Sequence, residues 1–206
     1  MKNKRISVLL ASVLLGASAV ASAQMPSLGG MLGGGKSSGA SAEQIVSKYV
    51  AGTQNVMKAD ANMLAAVGLK DEADKVALHA KNLTEGATKD ALEGASKLQS
   101  DSSKALEQQM SGKKVVMDAA SKKQFAEGVQ DLSKGVIQYV GMSKDVTGFK
   151  PSVTSMGGAA APALFVVQNL PGSIKSLAST LKLAIEFSKT NNIPLPKEAN
   201  DATSML

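Results

Sequence analysis

Apolar residues recur along much of the chain at steps of three and four, the spacing of one face of an α-helix. The first such segment covers residues 41–67. Ser41, with Gln44 three positions later, matches a capping box at its start, and Gly68 is a suitable stop. This pattern predicts an amphipathic helix whose inward positions are Ile45, Tyr49, Val56, Met63 and Val67.

A stripe of mostly small residues follows between Val76 and Ala105. Its nine positions advance by three or four residues with an eleven-residue period, which keeps one face in register along a nearly straight helix. Small side chains on that face allow a neighbouring helix to approach closely. The pattern predicts one long helix over about residues 71–110.

A third apolar seam lies between residues 121 and 144, with Phe125, Val129 and Leu132 in its first turns. Gly128 and Gly135 are seven residues apart and share one face. They either weaken the helix or admit a close neighbour. The seam predicts a helix over 121–144.

The last third of the chain carries no charged residue from Pro151 to Ile174. An apolar run over 159–170 ends at Pro171-Gly172, which predicts a break, and a last helix is predicted over 173–189. Prolines at positions 194 and 196 disfavour a further helix at that point. Residues 193–206 are therefore predicted to form a loose tail.

Together these patterns predict an all-α fold. The bundle domain covers residues 41–192 and contains four or five mostly antiparallel helices, one of them long (about 71–110). A chain of this length buries a core without disulfides, and none can form because cysteine is absent.

The first 23 residues have the three parts of a secretory signal peptide. A basic head precedes an apolar run from Ile6 to Val20, and Ala21-Ser22-Ala23 gives the small-residue cleavage pattern. Cleavage between Ala23 and Gln24 is predicted, with a periplasmic or secreted destination for the mature protein.

Residues 24–40 are rich in Gly and Ser and are predicted to form a flexible tether. Residues 30–37 match the spacing of a phosphate-binding loop. That motif requires a strand before it, and only the signal peptide lies upstream. We therefore predict no nucleotide and no other cofactor.

Charge and composition argue against nucleic-acid binding. The net charge of +6 falls to +3 once the three basic residues of the signal are removed, and Arg5 is the only arginine. Arginine is the favoured residue for bidentate contacts to phosphate and guanine, and few aromatic residues are present for base stacking. The basic balance indicates a solvated, lysine-rich surface.

Candidate catalytic chemistry is sparse. His79 is the single histidine and has no cysteine or second histidine to act with it, and no Gly-x-Ser-x-Gly elbow occurs. No spacing typical of metal ligands appears, and the scattered methionines are better explained as core residues. We predict no catalytic, cofactor-binding or metal-binding residues, and no enzyme.

The uncharged segment, residues 151–174, admits three interpretations. It is a buried central helix, apolar on every side, or a membrane contact through a shallow apolar hairpin, or the lining of a cavity for an apolar ligand. The candidate apolar or membrane contact residues are Leu164, Phe165, Val166, Val167 and Leu170.

The sequence therefore predicts a non-enzymatic cell-envelope protein that acts by protein interaction through a helical face or an apolar groove. The alternative is a membrane-active or lipid-binding bundle that uses residues 151–174, and an enzyme ranks third. The expected partner is a protein of the cell envelope, with a membrane or lipid as the other possibility.

Overall fold

The structure, a computed structural model, describes residues 40–111, 115–149 and 157–206, and all regular structure in these ranges is helical. The all-α prediction is confirmed at that level. The signal peptide, its cleavage site at Ala23 and Gln24, and the tether up to residue 39 lie outside the described residues. The helices are α1 (Ala42–Ala66), α2 (Lys70–Asn82), α3 (Lys89–Met110), α4 (Ala119–Thr147), α5 (Ala160–Thr190, preceded by a 3₁₀ turn over Gly157–Ala159) and α6 (Lys197–Ser204).

Local capping chemistry sets the ends of α1 and the start of α4. The predicted capping box is confirmed, because Gln44 N donates to Ser41 Oγ at 3.2 Å and Ser41 N donates to Gln44 Oε1 at 3.0 Å. Gly68 takes a positive φ of 95° just after α1, as a C-terminal glycine does. In α4 the cap is Asp118, whose Oδ1 accepts from Ser121 N at 2.7 Å, so that helix begins before the predicted residue 121.

The prediction of one long helix over 71–110 is wrong, because the chain leaves the helical conformation at Leu83 and begins a second helix at Lys89. Leu83 is buried, and its carbonyl accepts from Gln54 Nε2 of α1 at 2.7 Å. Thr88 Oγ1 then caps α3 by accepting from Ala91 N at 3.3 Å. The turn lets α2 and α3 each pack against α1 as separate helices.

The centre of the fold is the antiparallel contact of α1 with α4, called here the α1–α4 seam. Glycines set its closeness: a Cβ at Gly128 would lie 2.5 Å from Met63 Cγ, and one at Gly135 would lie 2.5 Å from Val56 Cγ2. Gly52 of α1 is filled in the same way by the ring of Tyr139. Of the two roles considered for the α4 glycines, the structure supports that of admitting a close neighbour.

The C-terminal third also differs from its prediction. Helix α5 continues through Pro171, which is exposed, because Leu170 and Leu177 bury on both sides of it. Packing on both flanks outweighs the roughly 3 kcal/mol that a proline costs inside a helix. The predicted loose tail, residues 193–206, instead contains α6, whose Ala199 and Ala202 are fully buried.

Candidate functional site

The five predicted contact residues lie in the first half of α5, on different sides of it. Phe165, Val166 and Leu170 are buried, and the Phe165 ring meets the Tyr49 ring edge-on with centroids 6.4 Å apart. Val167 is half-buried, and Leu164 is 38% exposed. Contact of all five with a membrane would therefore require this half of α5 to leave the core.

The uncharged segment is only partly described, since residues 151–156 lie outside the described ranges. Across the described ranges, no helix has both the length and the apolar character that crossing a membrane requires.

The second half of α5 and the end of α6 enclose an apolar groove of about 400 Å³, called here the α5–α6 groove. Helix α6 is held against α4 by its buried alanines and by Gln130 Nε2, which donates to Glu198 Oε1 at 3.0 Å. The side of α6 that faces α5 forms one wall of the groove. The lining residues are Ala178, Leu181, Lys182, Ile185, Glu186, Lys189, Thr203 and Leu206.

Helix α5 also carries three exposed lysines. Lys175, Lys182 and Lys189 follow one another at intervals of seven residues, about two helical turns, so they share one face of α5. Among the described residues, none of them forms a salt bridge. Glu186 is the only acid of α5, so the helix beside the groove carries a net positive charge.

A larger cleft, of about 680 Å³, opens where the first turns of α1, α3 and α5 meet the turn between α2 and α3. Its charged lining is mostly acidic, from Glu43, Glu85 and Asp90. Acids in first helical turns are stabilised by the local helix dipole. Acidic groups repel an anion, so the cleft suits an anionic ligand less well than the lysine-bearing α5–α6 groove does.

The core contains a polar cluster that links α1 and α4. The rings of Tyr49 and Tyr139 stack with centroids 5.2 Å apart. Thr53 Oγ1 donates to the Tyr49 carbonyl at 2.8 Å and lies 2.6 Å from Tyr139 Oη, so the Tyr139 hydroxyl donates to Thr53. Burial raises the pKa of Tyr139 well above its ordinary range.

The Tyr49 hydroxyl in this cluster has no hydrogen-bond partner within the described ranges. Burial raises the pKa of Tyr49, and the nearby hydroxyls of Ser173, Tyr139, Thr53 and Ser96 partly offset the rise. These hydroxyls are close to that of Tyr49, but none meets it with the distance and angle of a hydrogen bond.

Asp60 is a further core residue that sequence analysis did not identify. Its side chain is fully buried, and neither carboxylate oxygen has a hydrogen-bond partner among residues 40–111, 115–149 and 157–206. Burial alone raises its pKa well above the ordinary value of 3.8. Asp131 of α4 gives the contrast, because its buried carboxylate pairs with Lys58 at 3.0 Å and Lys134 at 3.5 Å. The available signal was an acid four residues after Val56 on an otherwise apolar stripe.

Other chemistry-bearing residues are dispersed. His79 of α2 is half-buried, and its ring faces Gly94 of α3. Within residues 40–111, 115–149 and 157–206, no three or more His, Cys, Asp or Glu residues are grouped as metal ligands would be. Comparison of the chain with protein-family models, curated proteins and solved structures gave no match.

Proposed function

We propose that the protein is a non-enzymatic, exported binding protein of the cell envelope, which acts through the α5–α6 groove. The observation that carries this proposal is the combination of apolar lining residues, Leu181, Ile185 and Leu206, with two exposed lysines that outnumber the one exposed acid of the lining, Glu186. Small-molecule sites are typically concave and mostly apolar, with few polar groups that fix orientation, and measure about 300–1,000 Å³. The groove, at about 400 Å³, falls within that range.

The ligand class that fits this surface is an anionic amphiphile, such as a fatty acid or an anionic lipid. An acyl chain on the apolar lining gains about 0.8 kcal/mol for each methylene group that it buries. The ammonium groups of Lys182 and Lys189 lie where they would meet a negatively charged head group. The apolar lysine stems can cover the chain while the charges stay in water.

Membrane contact through the first half of α5 is the other way in which this helix would meet lipid. Leu164 is the member of the predicted set that is exposed without any rearrangement. Contact there would be shallow and would leave the α5–α6 groove unused. Binding that is lost in Leu164→Asp but retained in groove variants would favour this mode.

The first experiment measures binding of a fluorescent fatty acid, and flotation with phosphatidylcholine vesicles that contain or lack phosphatidylglycerol. The test variant is Lys182→Glu/Lys189→Glu. The control is Lys97→Glu/Lys104→Glu, which makes the same charge change at the same spacing on exposed positions of α3. Helical content and the melting temperature are checked for both.

We expect the wild type to bind the fatty acid and to float with the anionic vesicles, with weaker flotation at high salt. A lysine near an anionic surface contributes about 1 kcal/mol, so reversing two should reduce affinity about tenfold or more. The control should stay within about twofold of the wild type. Absence of fatty-acid and vesicle binding, or equal loss in both double variants, would contradict the proposal and direct the search to a protein partner.

A further inference from the structure

In the part of the chain that the structure describes, three buried polar side chains have side-chain atoms without hydrogen-bond partners: Asp60, Tyr49 and Ser103. Most buried polar groups in folded proteins are hydrogen-bonded, and each orphaned one lowers stability. Asp60 is the most costly of the three, because both of its oxygens are orphaned and because it can acquire a charge. Asp60 therefore lowers the stability of the folded protein, and a functional role would explain its presence in the core.

Asp60 lies on the face of α1 that packs against the glycines of α4. It shares one face of α1 with Val56, four residues before it, and Met63, three residues after it. These two side chains are the ones that fill the space over Gly135 and Gly128 of α4. A change in the hydration of the Asp60 carboxyl therefore acts directly on the α1–α4 seam.

No charged group in the described part of the chain compensates the charge that Asp60 would carry. On α4, the titratable neighbour is the phenol of Tyr139, whose pKa is raised mainly by burial and also by the proximity of Tyr49 and Asp60. Helices α2, α3 and α5 also pack against α1, and no charged side chain of theirs among the described residues shifts the pKa of Asp60. Lys58, two positions away, is 65% exposed and pairs with Asp131 instead.

We infer that Asp60 is a proton-controlled latch on the bundle, which holds the α1–α4 seam closed while its carboxyl is protonated and loosens the seam when the proton leaves. A neutral carboxyl in an apolar site is tolerable, whereas an unpaired carboxylate there is strongly unfavourable. The released form hydrates by opening the helices that exclude water. This device is independent of the α5–α6 groove.

The sign of the pH dependence follows from proton binding. The folded pKa of Asp60 is raised above the unfolded value of 3.8, so between the two the unfolded chain binds fewer protons than the folded one. Stability is unaffected below about pH 4, falls as the pH rises through the window between the two values, and levels off above it. Within the window, the ratio of closed to open protein falls by up to about tenfold for each pH unit.

The test follows thermal unfolding and amide hydrogen exchange of the full chain from pH 4 to pH 9, for the wild type, Asp60→Asn and Asp131→Asn. Asp131 is the matched control, because it is a buried acid at the same pair of helices that has lysine partners. We expect the wild type to lose stability as the pH rises, with lower amide protection factors in α1 and α4 relative to the intrinsic exchange rate at each pH. Asp60→Asn should abolish that loss, and Asp131→Asn should retain it.

Carbon-13 NMR titration of the Asp60 carboxyl in the wild type gives a readout that needs no variant. A titration midpoint well above pH 4, coincident with the fall in protection factors in α1 and α4, supports the latch. An Asp60 carboxyl that titrates near pH 4, or an Asp60→Asn protein with the same pH profile as the wild type, overturns it. Protection factors in α1 and α4 of the wild type that stay constant between pH 4 and pH 9 also overturn it.

Discussion

The α1–α4 seam and the α5–α6 groove are built from the same kinds of helix, yet they differ in how the helices meet. At the seam, glycines bring the backbones together and stacked tyrosines fill the remaining space. The groove is open to solvent, because its lining includes half-buried Ile185 and exposed Lys182 and Lys189. Close contact at the seam leaves no apolar surface for a partner, while the groove retains some.

This difference separates stability from binding. Substitutions at the seam should change the free energy of unfolding, because its atoms are in tight contact and cannot relax without cost. Substitutions at the groove should change affinity for a ligand and leave unfolding almost unchanged. Asp60 is the exception, as a polar defect inside the tightly packed region.

The largest expected effect on the free energy of unfolding is at Phe165 of α5, and its neighbour Leu164 gives the contrast. Phe165 packs on Tyr49 at the edge of the seam, whereas Leu164 is 38% exposed. Phe165→Asp places an unpaired charge in the core and should destabilise by roughly 3–5 kcal/mol or unfold the chain. Leu164→Asp should change stability by about 0.5 kcal/mol or less. Urea unfolding followed by circular dichroism measures both.

The pair also separates two of the three interpretations of the uncharged segment, namely buried core and membrane contact. If Phe165→Asp remained folded with only vesicle binding lost, the first half of α5 would be a membrane-contacting surface rather than part of the core. Equal destabilisation by both substitutions would show that Leu164 is also buried in solution.

A smaller effect is expected from adding one methyl group at the seam. In Gly128→Ala the new Cβ would lie 3.0 Å from the Ala59 carbonyl oxygen and 2.5 Å from Met63 Cγ. Overpacking of this kind costs about 1–3 kcal/mol, more than the gain in helix propensity from alanine. The control is Gly141→Ala in the same helix, where no atom of the described residues lies within 4 Å of the new Cβ. That substitution should stabilise by about 0.5–1 kcal/mol.

Opposite signs for the two glycine substitutions would confirm that closeness, rather than glycine content, defines the seam. A Gly128→Ala protein as stable as Gly141→Ala would mean that α1 and α4 separate easily. Thermal unfolding detects the difference, since 1 kcal/mol shifts the melting temperature of a domain of this size by about 2–4 °C.

Apolar periodicity predicted the helical class and placed Gly128 and Gly135 on one face of α4, because both follow from which residues share a helix face. It left open whether these glycines weaken the helix or admit a close neighbour, and the structure shows the close neighbour. It missed the turn between α2 and α3, since Ala87 and Ala91 keep the small-residue stripe in register across a segment that is not helical. Thr88 and Gly86 were the local signals of that turn. Helix α6 was missed because its eight residues bury only two alanines, too few to form a pattern.

The polar features of the core were harder to predict than its apolar ones. Asp60 stands on the apolar stripe of α1, but a sequence does not reveal whether a lysine from another helix reaches it. Asp131 does acquire such a partner, in Lys58. The α5–α6 groove was equally hard to predict, because it depends on where α6 packs. The alanines of α6 can pack against several helix faces.

The smallest change in stability is expected at the groove. Lys182→Met/Lys189→Met removes two exposed charges and keeps side chains of similar length. Neither lysine has a salt bridge in the described part of the chain, so the free energy of unfolding should change by about 0.5 kcal/mol or less. Binding of a fatty acid should weaken, while binding of a neutral detergent of equal chain length should persist, because the apolar lining is intact.

This one variant separates the contribution of charge to binding from that of apolar area, because the fold is unchanged. If detergent binding disappeared together with fatty-acid binding, the lysine stems rather than their charges would shape the groove. If the melting temperature fell by more than about 5 °C, the groove would be part of what holds α5 in place. The division between a seam that stabilises and a groove that binds would then fail.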